Sequence, residues 1–143
     1  MVTGINSNKE GSMPKKILII EDDRSTARLT EYTLQQAGYE AIVVSDGFDG
    51  LRKALSDHPD LVILDIMLPG LDGYEVCHRL RQKPETANTP VLMISAKSRQ
   101  DDKDIGLKMG ADEYLTKPVD PAEILAKVEA LLAGTSKIVY GES

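Results

Sequence analysis

Five short apolar runs, each followed by a stretch with helical spacing, constrain this chain more than any other feature. Residues 17–20, 41–44, 61–64, 91–94 and 113–115 are β-branched or Leu-rich, and their length and spacing favour strands over buried helices. The third and fourth runs lack polar alternation, which suits strands covered on both faces. Between the runs, Phe48, Leu51 and Leu55 recur at i, i+3 and i+7, while Ile124, Leu125, Val128, Leu131 and Leu132 form a wider stripe. Both patterns predict helices that turn these side chains to the core. Repeated strand-then-helix units imply right-handed parallel crossovers. The expected fold class is therefore α/β, a doubly wound five-stranded parallel sheet in a three-layer sandwich, with chemistry at the C-terminal ends of the strands.

Turn chemistry sets the boundaries. Gly38 and Gly110 stand where helices need left-handed C-terminal residues, and Asp120-Pro121-Ala122-Glu123 combines an N-cap, a Pro in the first turn and an acidic third position. One domain over residues 15–133 is expected, after a disordered extension or tag at 1–14 and before a tail at 134–143. The ten residues of the tail are too few for a DNA-binding helix-turn-helix unit. The expectation is a stand-alone module acting through proteins, or a fragment in which Lys137-Ile138-Val139-Tyr140 begins a further element.

Composition removes several function classes. A chain of 143 residues buries roughly 68% of its unfolded surface, enough for a core without staples. Seventeen basic against 23 acidic residues give a net charge of −6, and aromatics are 4%. Neither favours phosphate backbones or a base-stacking surface, so direct nucleic-acid binding is not expected. With no apolar run near the roughly 20 residues of a membrane span, and with Cys77 alone, the expectation is a cytoplasmic protein without membrane contact.

Charged groups gather where strands end. Glu21-Asp22-Asp23 follow the first strand, Asp65 the third, Ser95-Ala96 the fourth, and Lys117-Pro118 the fifth. In a parallel sheet all of these share one rim. Clustered carboxylates repel one another unless a pKa rises or a cation binds, and oxygen donors of this kind suit Mg²⁺ better than Zn²⁺. A lysine and a hydroxyl beside such a metal make a phosphoryl site.

The order of these motifs carries a resemblance. Ile-Ile-Glu-Asp-Asp, then Leu-Asp-Ile-Met-Leu-Pro-Gly-Leu-Asp-Gly over 64–73, Ser-Ala at 95–96, and Gly-Ala-Asp-Glu-Tyr-Leu-Thr-Lys-Pro over 110–118 are similar to the receiver domain of two-component response regulators. The resemblance covers residues 15–132. It implies the strand order 2-1-3-4-5, with Asp65 as the phosphoacceptor taking a phosphoryl group from the phosphohistidine of a sensor histidine kinase or phosphotransfer protein. It also implies Mg²⁺ held by Asp22, Asp65 and the backbone carbonyl of Met67, with Glu21 acting through water. Lys117 and Ser95 would contact the phosphoryl group, Tyr114 would report the switch state, and Lys117-Pro118 is the family's cis-peptide position. The implied protein is a signalling switch with slow autodephosphorylation, not an enzyme. Its output would be a downstream protein or a second copy bound on the fourth helix, fifth strand and fifth helix.

Other readings stand beside this one. A Mg²⁺-dependent phosphohydrolase with an aspartyl nucleophile would use the same groups, but wants a second acid where Met67 stands. A flavodoxin-like nucleotide module would want amides rather than acids after the first strand. Asp23 reads as a helix cap rather than a ligand. His58 and His78 lack partners at ligand spacing, and Cys77 reads as a buried inert thiol.

Overall fold

The structure, a computed structural model, describes residues 13–134. The expected tail beyond Gly134 and all but two residues of the expected N-terminal extension lie outside the described residues. The elements run β1 Lys16–Ile20, α1 Arg24–Gln36, β2 Glu40–Val44, α2 Gly47–Asp57, β3 Leu61–Leu64, α3 Gly73–Gln82, β4 Val91–Ser95, α4 Gln100–Met109, β5 Glu113–Thr116 and α5 Pro121–Ala133. All strand pairs are parallel, in the order β2-β1-β3-β4-β5. This is the expected 2-1-3-4-5 sheet.

Two apolar layers sandwich it. Leu18, Ile20, Val62, Leu64 and Met93 pack with Ala54 of α2 and with Val76, Cys77 and Leu80 of α3. Ile17, Ile19, Ile63, Leu92 and Ile94 pack with Leu34 of α1 and with Ile124, Val128 and Leu131 of α5. Alternate residues of one strand thus feed opposite layers, which explains why β3 carries no polar position and β4 none before Ser95, its last residue. Full burial of each such Leu or Ile contributes roughly 1.5–3 kcal/mol.

Helix ends follow the sequence. Asp23 caps α1 by accepting from Thr26 N at 2.9 Å, and Asp120 caps α5 by accepting from Ala122 N at 3.0 Å. Gly38 and Gly110 both take positive φ.

The predicted core face of α2 holds only in part: Leu51 packs against the core and Phe48 does not. Phe48 is 48% exposed, and Leu51 and Leu55 are only half-buried; the buried residues are Gly47, Gly50 and Ala54. The reason is proximity. A Cβ on Gly50 would stand 2.5 Å from Ile20 Cδ1, so the helix lies too close to β1 for a large side chain there, and small residues face the strand while Phe48 stands outward.

Candidate functional site

The backbone assembles the site by continuing its ladder one residue past the strands. Asp65 N donates to Ile20 O at 3.1 Å, Glu21 N to Val44 O at 3.0 Å, and Lys117 N to Ser95 O at 2.9 Å. With Ile20 paired to Leu64 and Ser95 to Thr116, the residues that follow these strands emerge on a single rim. The acids sit where β1 and β3 send their connections to opposite faces, the switch point at which open α/β sheets place their ligands.

Three carboxylates converge there. Oxygens of Glu21, Asp22 and Asp65 lie within 4.8 Å of one another, with Glu21 and Asp65 buried and Asp22 exposed. Lys117 Nζ is 2.8 Å from Glu21 Oε1 and 3.0 Å from Asp65 Oδ2. One ammonium thus pairs with two of the three acids. Desolvation raises the Glu21 pKa above the usual glutamate value, and the Asp65 charge adds to it, against the bonds from Lys117 and Asp23 N. Burial works to lower the Lys117 pKa, but its bonds to Glu21 and Asp65 and their charges outweigh it and hold the ammonium above the ordinary lysine value. The negative excess and the all-oxygen donor set fit a hard divalent cation.

The remaining residues take distinct places. Met67 N donates to Asp65 Oδ1 at 3.2 Å while its side chain is exposed. Ser95 is buried, and its hydroxyl accepts from Lys97 N at 3.3 Å; it is not among the partners of Asp65. Tyr114 donates to Lys97 O at 2.7 Å, and burial pushes its phenol up to about 12. The Lys117-Pro118 peptide is cis. Asp23 turns away to its cap, and its bond from the Thr26 hydroxyl holds its carboxyl below the usual aspartate value. His58 and His78 are exposed, while Cys77 is buried with its thiol pushed up to about 11 by desolvation.

Two features escape sequence reasoning. The Glu21–Lys117 pair joins residues 96 positions apart, and nothing local signals it. Arg81 gives no signal either, yet it donates to Thr89 O at 2.6 Å, Gly110 O at 2.8 Å and Asp112 Oδ2 at 3.0 Å. It thereby locks the end of α4 to the segment entering β4.

A doubly wound sheet with a cation-demanding acidic pocket at its switch point defines the class. Within it, the chain belongs to the response regulator receiver domain family, which residues 17–129 match. Over 120 residues it is 48% identical to the alkaline phosphatase synthesis transcriptional regulatory protein PhoP of Bacillus subtilis, a match covering 84% of this chain and 49% of that protein. The chain therefore spans about half the length of this curated relative. Among solved structures it is similar to a response regulator from Chloroflexus aurantiacus, with 39% identity, TM-score 0.81, and 84% and 98% of the two chains covered. It is also similar to the receiver domain of a sensor histidine kinase from Pseudomonas aeruginosa, solved with magnesium in its active-site cleft, with 28% identity, TM-score 0.79, and 84% and 98% covered. No helix among the described residues is long and apolar enough to cross a membrane.

Proposed function

We propose that Asp65 accepts a phosphoryl group from the phosphohistidine of a sensor histidine kinase or phosphotransfer protein. An oxygen of the Asp65 carboxylate attacks phosphorus, the phosphorus–nitrogen bond of the donor breaks, and an acyl phosphate forms. The observation that carries this is the buried Asp65 carboxylate held 3.0 Å from Lys117 Nζ beside Glu21 and Asp22. Asp22, Asp65 and the Met67 carbonyl would hold Mg²⁺, with Glu21 acting through water. The metal supplies charge neutralisation between the nucleophile and the incoming phosphoryl oxygens. Lys117 orients and balances the product anion, and the Ser95 hydroxyl turns from Lys97 N toward it. Met67 and Lys97, two residues beyond Asp65 and Ser95, are neither neutral amides nor carboxylates that would hold water in line, which supports a switch with slow autodephosphorylation rather than a turnover enzyme.

The output surface is α4, β5 and α5, where Tyr114 links the pocket to the turn before α4. A downstream protein or a second copy binds there. The net charge of −6 supports protein partners rather than direct nucleic-acid contact by this domain. PhoP is named a transcriptional regulatory protein, and regulation of transcription is the output we propose for a longer protein carrying this domain. Incubation with acetyl phosphate and Mg²⁺ followed by intact-mass measurement tests the reading. One phosphoryl adduct is expected on the unaltered chain and none on Asp65→Asn; an adduct on the variant defeats it.

A further inference from the structure

The residue whose side chain departs most from its predicted place, Phe48, is also the chain's single phenylalanine. Its surroundings assign it other work. We infer that Gly47 and Phe48, at the start of α2, are positioning residues for the loop 66–72 that follows Asp65, and through that loop for the backbone at Met67. The inference rests on the proposed phosphoryl site.

Three consecutive loop residues are gripped from one helix end. Gly47 N donates to Pro69 O at 3.1 Å. Because the Asp46 side chain already caps Asp49 N at 2.8 Å, the Gly47 N–H is one of the donors a helix start leaves without an internal acceptor, and here the loop takes it. Gly70 stands at φ +80°, and a Cβ there would lie 3.1 Å from Phe48 Cδ2, so the ring fills the hollow that the missing side chain leaves. A Cβ on Gly47 would overlap the Leu71 carbonyl oxygen, so backbone meets backbone at the third residue. The loop's other backbone ties lie at its two ends, where Leu68 N and Gly73 N both donate to Ile66 O, at 3.0 and 2.8 Å. The grip of α2 therefore fixes the middle of the segment whose first turn carries Met67 N onto Asp65 Oδ1.

A displacement of about 1 Å in such a group changes rates by up to roughly a hundredfold, so loss of the grip reaches the pocket without touching it. The test compares the unaltered chain with Phe48→Ala, Phe48→Tyr and Gly47→Ala. Amide hydrogen exchange without metal, Mg²⁺ affinity by calorimetry, and phosphoryl uptake across acetyl phosphate concentrations are the readouts. Phe48→Ala is expected to exchange about tenfold faster at Leu68 and Gly70, to bind Mg²⁺ several-fold more weakly, and to lose maximal uptake rate rather than half-saturation, with little change in melting temperature. Phe48→Tyr restores all three, and Gly47→Ala shows the Phe48→Ala pattern more strongly if it folds. Unchanged exchange in Phe48→Ala overturns the inference, and so does faster exchange with unchanged Mg²⁺ affinity. If the unaltered chain takes up no phosphoryl group, the functional reading fails instead, and the exchange and Mg²⁺ measurements still decide the grip.

Discussion

The Tyr114 hydroxyl donates to the carbonyl oxygen of Lys97 at 2.7 Å, tying β5 to the turn two residues beyond Ser95. Since Lys97 N in turn donates to the Ser95 hydroxyl at 3.3 Å, one residue's backbone connects the aromatic to the Ser95 hydroxyl. Movement of Ser95 toward an anion on Asp65 would strain that bond and free Tyr114 to move.

Removing the hydroxyl isolates this tie. Tyr114→Phe keeps the ring and is expected to cost about 1 kcal/mol in denaturant unfolding, the net worth of one such bond. Phosphoryl uptake at Asp65 is expected to remain. Amide shifts on adding beryllofluoride are expected to reach α4 and α5 in the unaltered chain and to weaken there in the variant. Identical shift patterns in the two proteins would show that the bond carries no coupling. In the unaltered chain the phenol pKa of about 12 lies above the usual tyrosine value. Its contribution is therefore full below about pH 10 and is lost as pH rises through 12.

Asp22 and Asp23 are neighbours with separate work. Asp23→Ala removes the cap on Thr26 N and is expected to lower the melting temperature by about 4 °C with Mg²⁺ affinity nearly unchanged. Asp22→Ala removes an exposed carboxylate of the acidic cluster and is expected to weaken Mg²⁺ binding at least about tenfold without that thermal loss. Calorimetric titration and thermal unfolding of the two variants check this, and equal Mg²⁺ losses would contradict it.

Sequence legibility tracks how local the cause is. The inner strands β3 and β4 announce themselves because both faces are covered, and the helix ends because Asp23, Gly110 and Asp120 act on backbone a few residues away. The cluster of Glu21, Asp22 and Asp65 is legible once the sheet is taken as parallel, since strand ends then share a rim. The face of α2 is only partly legible, since Leu51 does pack on the core but hydrophobic periodicity registers side-chain size and not the close approach that excludes size at Gly47 and Gly50. Pairing of Lys117 with Glu21 is likewise hidden, for it depends on the lateral order of β1, β3, β4 and β5 rather than on any spacing.

Burial of Glu21 has a pH signature. Its pKa is raised in the fold, so its contribution to stability is fully present below the unfolded value near 4.5 and is lost as pH rises through the folded one. At neutral pH and without metal, the ionised carboxylate weighs against folding. Glu21→Gln is therefore expected to be more stable than the unaltered chain at pH 7 by about 1 kcal/mol, with the gap closing toward pH 4. Urea unfolding at both pH values measures it, and a variant less stable at pH 7 would show that the pair with Lys117 outweighs the burial.

Met67 is expected to influence the lifetime of the phosphorylated state proposed for Asp65. Its exposed side chain follows Asp65 by two residues, and a thioether neither donates to nor firmly accepts from water. A water reaching phosphorus there arrives unoriented, which forfeits the gain that alignment supplies. An amide at this position can hold a water in line. Met67→Asn is accordingly expected to shorten the half-life of the acyl phosphate by about tenfold, measured as decay of the phosphorylated mass after acetyl phosphate is removed. Because the Met67 N–H bond to Asp65 comes from the backbone, the rate of uptake is expected to stay near that of the unaltered chain. Unchanged or slower decay in the variant would place control of the lifetime elsewhere in the pocket.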